Sequence, residues 1–132
     1  MMFVGALSDR PDTPGEKVIK MLTWLKTTVM QLQTTHESAI ELDKHEILQR
    51  IDMLAMTAQA VHVHGARPDL LLSARKDALV AMEAATDARS RAGWEQGRQA
   101  AAMLTMAASV MSSIPALLAS APSLSSPLSP DS

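Results

Sequence analysis

Two histidines and four acidic residues lie close together in the stretch HESAIELDKHE, residues 36–46. In a helix, Glu37, Glu41 and His45 follow one another at intervals of four residues and share one face. Carboxylates and imidazoles are ligands of transition metals, so this stretch is where the sequence suggests metal chemistry. A di-iron bundle, however, takes inward Glu-x-x-His pairs from two helices, and the chain has no such pair.

A surface charge cluster explains the same residues with fewer assumptions. If the chain folds back near Gly65, Glu41 and Asp43 of the first arm come close to Arg91 and Arg89 of the second, respectively. We therefore predict a cross-helix charge cluster of these four residues and expect neither a metal ion nor a cofactor, because a structural metal site would need further ligands from elsewhere.

The remaining histidines have structural interpretations. His36 falls on a hydrophobic seam of the predicted helix, where a polar residue can fix register or oligomeric state and an imidazole would make association respond to pH. We favour a hydrogen-bonded core histidine and keep register control as the alternative. His64, at a helix end beside His62, is suited to stabilise the negative end of the helix dipole.

We find no signature of an enzyme. The chain has no cysteine, no G-x-S-x-G motif and no glycine-rich phosphate loop, so the common nucleophile and phosphate motifs are absent. We predict no catalytic residues.

The composition predicts one all-α domain. With 132 residues the chain fits a single core. Aromatic residues make up 2% and tyrosine is absent, which disfavours strands. The net charge of -2 provides no positive field for nucleic acid. The N-terminus does not resemble a signal peptide, so we expect a cytoplasmic location.

The elements that must position these residues are two long helical arms. Thr13, Pro14 and Glu16 form a capping box that starts the first arm. Its apolar residues then follow a spacing of four and three that is typical of bundle helices. The seam residues are Val18, Leu22, Leu25, Val29, Leu32, His36 and Ala39, followed by Ile47, Ile51, Leu54, Ala58 and Val61.

These two seams differ in phase by one residue, which predicts an irregularity between them. We place a break or kink near residues 38–43, with a helix restart at Asp43, or alternatively a continuous helix that carries a skip. Gly65 and Pro68 mark a turn between the arms.

The second arm carries its own seam, and Pro115 is expected to stop it. The predicted seam residues are Leu71, Ala74, Ala78, Met82, Ala85 and Ala88, then Ala100, Met103, Ala107, Val110 and Ile114. We divide the chain into a flexible N-terminal arm (1–12), a helical bundle domain (13–114) and a disordered Ser/Pro-rich tail (115–132).

The predicted fold is an antiparallel helical hairpin or a four-helix bundle of long amphipathic helices. Two helices alone would leave much apolar surface wet, so either each arm bends in two or two hairpins associate. We favour self-association as a homodimer.

The function expected from this sequence is a non-enzymatic helical protein-protein interaction module: a small adaptor, chaperone-like or regulatory protein that binds itself and another protein. The candidate interaction or register residues are His36, Met103, Met106 and Val110. One alternative is a membrane-associated protein anchored through the uncharged segment 100–121. Another is a nucleic-acid-binding hairpin that uses Lys17, Lys20 and Lys26. We expect neither a membrane nor nucleic acid as the main partner.

Overall fold

The chain forms a bundle of four α-helices. The computed structural model describes residues 12–32, 39–95 and 97–121, and no strand occurs among them. Each helix packs antiparallel against the next one along the chain, and the first also contacts the last. The predicted all-α bundle is confirmed. The helices are α1 (Pro14–Met30), α2 (Ala39–His64), α3 (Pro68–Glu95) and α4 (Arg98–Ala119).

Helix α1 begins as the sequence predicts. The Thr13 side chain accepts a hydrogen bond from the Glu16 backbone N–H at 3.2 Å, and Glu16 Oε1 accepts one from the Thr13 N–H at 2.9 Å. Both halves of the capping box are therefore formed. Gly15 lets this end of α1 lie close to α2, since a Cβ at position 15 would stand 2.8 Å from the Cβ of His62.

The two long arms each divide into two helices. The first arm is interrupted between Met30 and Ala39, earlier than the predicted range of 38–43. Asp43 lies inside α2, so the predicted restart at that residue is wrong. Residues 33–38, which include His36, lie outside the described residues. The first of the two predicted alternatives holds: each arm bends, and the bundle forms within one chain.

Glycines make two of the turns. Gly65 between α2 and α3 has a φ of 88°, and Gly97 between α3 and α4 has a φ of 96°. This is the left-handed region, which side chains with a Cβ rarely adopt. The turn at Gly65 is confirmed, and the turn at Gly97 is the bend of the second arm that a four-helix bundle within one chain requires.

Pro115 does not end the last helix, contrary to the prediction. Helix α4 continues to Ala119 with Pro115 inside it. Proline has no N–H to donate within the helix, yet the side chains on both sides of it, Ile114 and Leu118, are fully buried. Their burial holds the last turn against the bundle and offsets the missing hydrogen bond. The predicted domain boundary at residue 114 therefore falls within α4.

The core follows the predicted seam in the first arm and departs from it in the second. Ten seam residues of the first arm are buried as predicted. They are Val18, Leu22, Leu25, Val29 and Leu32, followed by Ile47, Ile51, Leu54, Ala58 and Val61. In the second arm Ala81, Leu104 and Met111 are buried, where Met82, Met103 and Val110 were predicted. These three and the predicted Leu71 are only partly buried. The other predicted seam residues of the second arm, which include Ala100, Ala107 and Ile114 of α4, are buried.

Helix α3 contributes only alanine to the buried core. Four of its large apolar side chains, Leu72, Leu79, Val80 and Trp94, are instead exposed, while Leu70 and Leu71 are partly buried against the core. Alanine methyl groups allow neighbouring helix backbones to approach closely, which places α3 between α2 and α4. The large buried side chains come from α1, α2 and α4. The buried residues of α3 are Ala74, Ala78, Ala81, Ala85, Ala88 and Ala92.

The burial beyond Pro115 gives a stability prediction. Leu118→Ala should lower the free energy of unfolding by about 2–5 kcal/mol, because it removes a fully buried side chain and leaves a cavity. The control Ser109→Ala, at an exposed position of the same helix, should change it by less than about 0.5 kcal/mol. Denaturant unfolding measures both. Equal effects would mean that the chain after Pro115 does not pack on the core.

Candidate functional site

The predicted charge cluster is formed in part. Arg91 donates to Asp43 through Nε and Nη2, at 2.7 Å to each carboxylate oxygen. This bidentate pair connects α2 to α3 across 48 residues of sequence. The Asp43 side chain is 14% exposed and the Arg91 side chain 46%, so the pair is only partly screened by water.

The other two members of the cluster lie apart from this pair. Glu41 Oε2 is 3.0 Å from His45 Nε2, one turn along α2. Arg89 is exposed on α3, and no salt bridge joins it to another described residue. The structure thus joins two members of the predicted cluster, but it pairs Asp43 with Arg91 where the predicted register paired it with Arg89, and it places Glu41 beside His45.

Within the described residues, no three His, Asp or Glu side chains come close enough to share a metal ion. Glu37, which the metal interpretation requires, lies outside these residues. The Thr13 Oγ1 atom lies 3.2 Å from His62 Nδ1, so His62 helps to attach the start of α1 to the end of α2. His64 is the last residue of α2, at the position expected for interaction with the helix dipole.

The predicted interaction residues of α4 are not its most exposed ones. Met103, Met106 and Val110 are partly buried and pack against the core. The outer surface of α4 consists of small uncharged residues such as Ala102, Thr105 and Ser109.

Exposed apolar side chains are concentrated instead on the central hairpin of α2 and α3. Ten large apolar side chains are exposed in the described part of the chain, and eight of these belong to α2 or α3. We call this surface the hairpin face. Its large apolar members are Leu42, Met53, Met56 and Val63 on α2 and Leu72, Leu79, Val80 and Trp94 on α3.

Helix geometry puts these residues on the outer side of both helices. At about 100° per residue, Met53 and Met56 point away from the buried residues Ile51, Leu54 and Ala58. The spacing of four and three through Met53, Met56, Ala60 and Val63 repeats the rhythm of the buried seam. Helix α2 therefore carries one apolar stripe toward the core and a second one toward solvent.

A shallow groove adjoins the hairpin face. It has a volume of about 290 Å³, opens to solvent and lies between α3 and α4. Small side chains leave this space, since Ala78 of α3 faces Pro115 of α4. Arg75 is the one charged residue in its lining, and the full lining is Arg75, Ala78, Leu79, Met82, Ser112 and Pro115.

The lysine strip proposed for nucleic acid is partly neutralised. Lys20 Nζ lies 2.8 Å from Asp12, and Lys26 Nζ lies 2.9 Å from Asp52. Of the three lysines only Lys17 lacks an acidic partner among the described residues. A strip that carries its own counter-charges attracts a phosphate backbone weakly.

No protein-family model, curated protein or solved structure matches this chain. The surfaces described above are thus the basis for a functional proposal.

Sequence reasoning predicted apolar surface beyond the seams without recognising the hairpin face. Its members Met53, Met56, Leu72, Leu79 and Val80 all lie outside the predicted seams. The signal was the second spacing of four and three on α2. Combined with an alanine seam on α3, it indicates two helices whose large side chains point outward.

The Asp43–Arg91 pair gives a second prediction. Asp43→Asn and Arg91→Gln should each destabilise the bundle by about 1 kcal/mol, because each removes a bidentate ion pair that is partly shielded from water. In a double-mutant cycle, the free energy of unfolding of the double variant should be no lower than that of the less stable single variant. Additive losses in denaturant unfolding would show that the two side chains do not interact.

Proposed function

We propose that this protein is a non-enzymatic helical interaction module, a small adaptor, chaperone-like or regulatory protein that binds another protein surface through its hairpin face. A cytoplasmic location is part of the proposal. The observation that carries it is the inversion of α3, in which the buried residues are alanines while leucine, valine and tryptophan side chains are exposed.

The inversion has an energetic meaning. Leu72 and Leu79 are about half exposed, and Trp94 is 90% exposed. Burying a leucine side chain is worth roughly 1.5–3 kcal/mol, so folding of the single chain leaves part of this free energy unused. A partner that covers the hairpin face would gain it, and exposed apolar surface is a common feature of interaction sites.

The chemistry of the face fits a helical partner. Methionine is unbranched and flexible, so Met53 and Met56 can adapt to the grooves of an opposing helix. The regular spacing on α2 matches the way one helix packs against another. Trp94 lies at the far end of the face. Tryptophan is enriched among the hot-spot residues that contribute most of the binding free energy in protein interfaces.

Site-specific photocrosslinking tests this proposal. A photoreactive amino acid at position 56 should form protein adducts in source cells, whereas one at position 109, on the exposed side of α4, should form few. Position 109 is the matched control because it is equally exposed but lies on an uncharged surface of small residues. If position 56 gave no more protein adducts than position 109, the interaction proposal would be wrong.

A membrane anchor is a second candidate, and one observation favours it. Of the described helices, only Arg98–Ala119 is long and apolar enough to cross a bilayer, although the core helix of a soluble bundle can pass the same test. Its largest side chains, however, form part of the core: Leu104, Met111, Ile114 and Leu118 are fully buried. Insertion of α4 into a membrane would remove them from α1, α2 and α3.

A single charge distinguishes the anchor from the bundle. Thr105→Glu places a carboxylate at an exposed position near the middle of α4. In the bundle it faces water, so the distribution of the protein between membrane and soluble fractions should not change. In a bilayer a charge at this depth costs about 2.5–3.5 kcal/mol. A wild-type protein that resists alkaline extraction, together with a variant that is released, would support the anchor instead.

A further inference from the structure

We infer that the hairpin face binds the hairpin face of a second copy of this chain around a two-fold axis. The axis lies between the two faces and runs perpendicular to α2 and α3. Along α2, the axis lies at the level midway between Met53 and Met56. Along α3, it lies at the level midway between Leu79 and Val80. This inference rests on the proposed function, since it names the partner of the same face.

The register between α2 and α3 places these two midpoints at the same level. Thr57 Oγ1 donates to Asp77 Oδ2 at 3.0 Å, and Arg91 donates to Asp43 at 2.7 Å. Residues 43–57 and 77–91 are equally long, so the register is constant over this part of the hairpin. The midpoint between Met53 and Met56 lies two and a half residues before Thr57. The midpoint between Leu79 and Val80 lies two and a half residues after Asp77, so both midpoints are at one level. One axis therefore serves both helices.

This symmetry brings apolar side chains together at the centre. Met53 lies opposite Met56 of the second copy, and Met56 opposite its Met53. On α3, Leu79 lies opposite Val80 of the second copy. In a two-fold interface each such contact occurs twice. The exposed apolar residues at the middle of the hairpin thus cover one another.

The charges on α3 are self-complementary about the same axis. Lys76 precedes Leu79 by three residues, and Glu83 follows Val80 by three. The axis consequently sets Lys76 opposite Glu83 of the second copy, and Glu83 opposite its Lys76. Both side chains are exposed, and neither forms a salt bridge with another residue in the described ranges. The dimer would contain two intermolecular ion pairs that flank an apolar centre.

The size of the face suits a dimer. Helix α2 has 26 residues, which at about 1.5 Å per residue give a length of roughly 39 Å. Two helices side by side are about 20 Å wide, so the face measures on the order of 800 Å². That matches the area of about 800 Å² that each partner buries in a standard protein interface.

A two-fold axis parallel to the helices would not pair these charges. It would stack α3 on α2 of the second copy at unchanged levels. Lys76 would then meet the turn that contains Ala58 and Gln59, and Glu83 the turn that contains Gln49 and Ile51. Lys76 would meet no acidic residue there, and Glu83 would meet Arg50, whose Nη2 already lies 3.9 Å from Glu46 Oε2 on its own helix. Only the perpendicular axis gives both charges an opposite partner.

Charge reversal tests the arrangement. Lys76→Glu and Glu83→Lys are each prepared in the full chain, with Lys17→Glu on the exposed side of α1 as the matched control. Circular dichroism verifies that each variant is folded, and analytical ultracentrifugation over a range of concentrations gives the dimer dissociation constant. Each single reversal at position 76 or 83 turns two attractions into two repulsions. The dissociation constant should rise about tenfold or more, while Lys17→Glu leaves it unchanged.

Mixing the two variants gives the decisive result. In the mixed dimer both charge pairs are again opposite in sign: one is reversed relative to the wild type, and the other is the wild-type pair of Glu83 and Lys76. An equimolar mixture of Lys76→Glu and Glu83→Lys should therefore form a heterodimer about as tight as the wild-type dimer, and the double variant should recover the homodimer.

Two results would overturn the inference. One is a wild-type chain that stays monomeric up to millimolar concentration. The other is a dimer whose dissociation constant ignores both reversals or is not restored by mixing. Either result leaves the proposed function standing if position 56 still crosslinks to a different protein. Absence of crosslinks to any protein would remove both proposals.

Discussion

The architecture depends on the alanine seam of α3. Six alanine methyl groups line the inner side of this helix, so α2 and α4 can both pack close to it without a clash between large side chains. The volume of the core is then supplied by leucine, isoleucine, valine and methionine side chains from the other three helices. Because α3 contributes so little volume inside, Leu72, Leu79, Val80 and Trp94 lie outside, and Leu70 and Leu71 are only partly buried. The packing of the core and the chemistry of the surface thus have one cause.

The same constraint explains why the chain has two bends in addition to the Gly65 turn. Two rods in contact would cover one stripe on each, and the seams of α1 and α4 would face water. Bending between Met30 and Ala39 and at Gly97 brings those seams onto α2 and α3. Salt bridges join neighbouring helices at the surface, as between Lys26 and Asp52. They contribute modestly to stability and help to define register, while burial of the seams supplies most of the stability.

Local chemistry was predictable from the sequence where one interaction dominates. The capping box at Thr13, the turn at Gly65 and the seam of the first arm follow from side-chain bonding, a positive φ and regular aliphatic spacing. Counting from the turn placed Asp43 and Arg91 in one charge cluster, but it paired Asp43 with Arg89, two residues from its actual partner. Pro115 was predicted incorrectly because tertiary burial of Ile114 and Leu118 outweighs a local helix-breaking tendency. On α4, Met103 and Val110 were predicted in the seam where Leu104 and Met111 are buried. An alanine-rich helix also has several possible seams, and only its neighbours select one.

A core built partly from alanine has a consequence for stability. Burial of an alanine methyl group gains much less free energy than burial of a leucine side chain, so α3 is held less strongly by the hydrophobic effect than α1 or α4. Its remaining apolar surface lies on the hairpin face, where only another molecule can cover it. Any partner that binds this face stabilises the folded state by mass action. Because the face belongs to the helix with the smallest buried side chains, association strengthens the bundle where its own core is weakest.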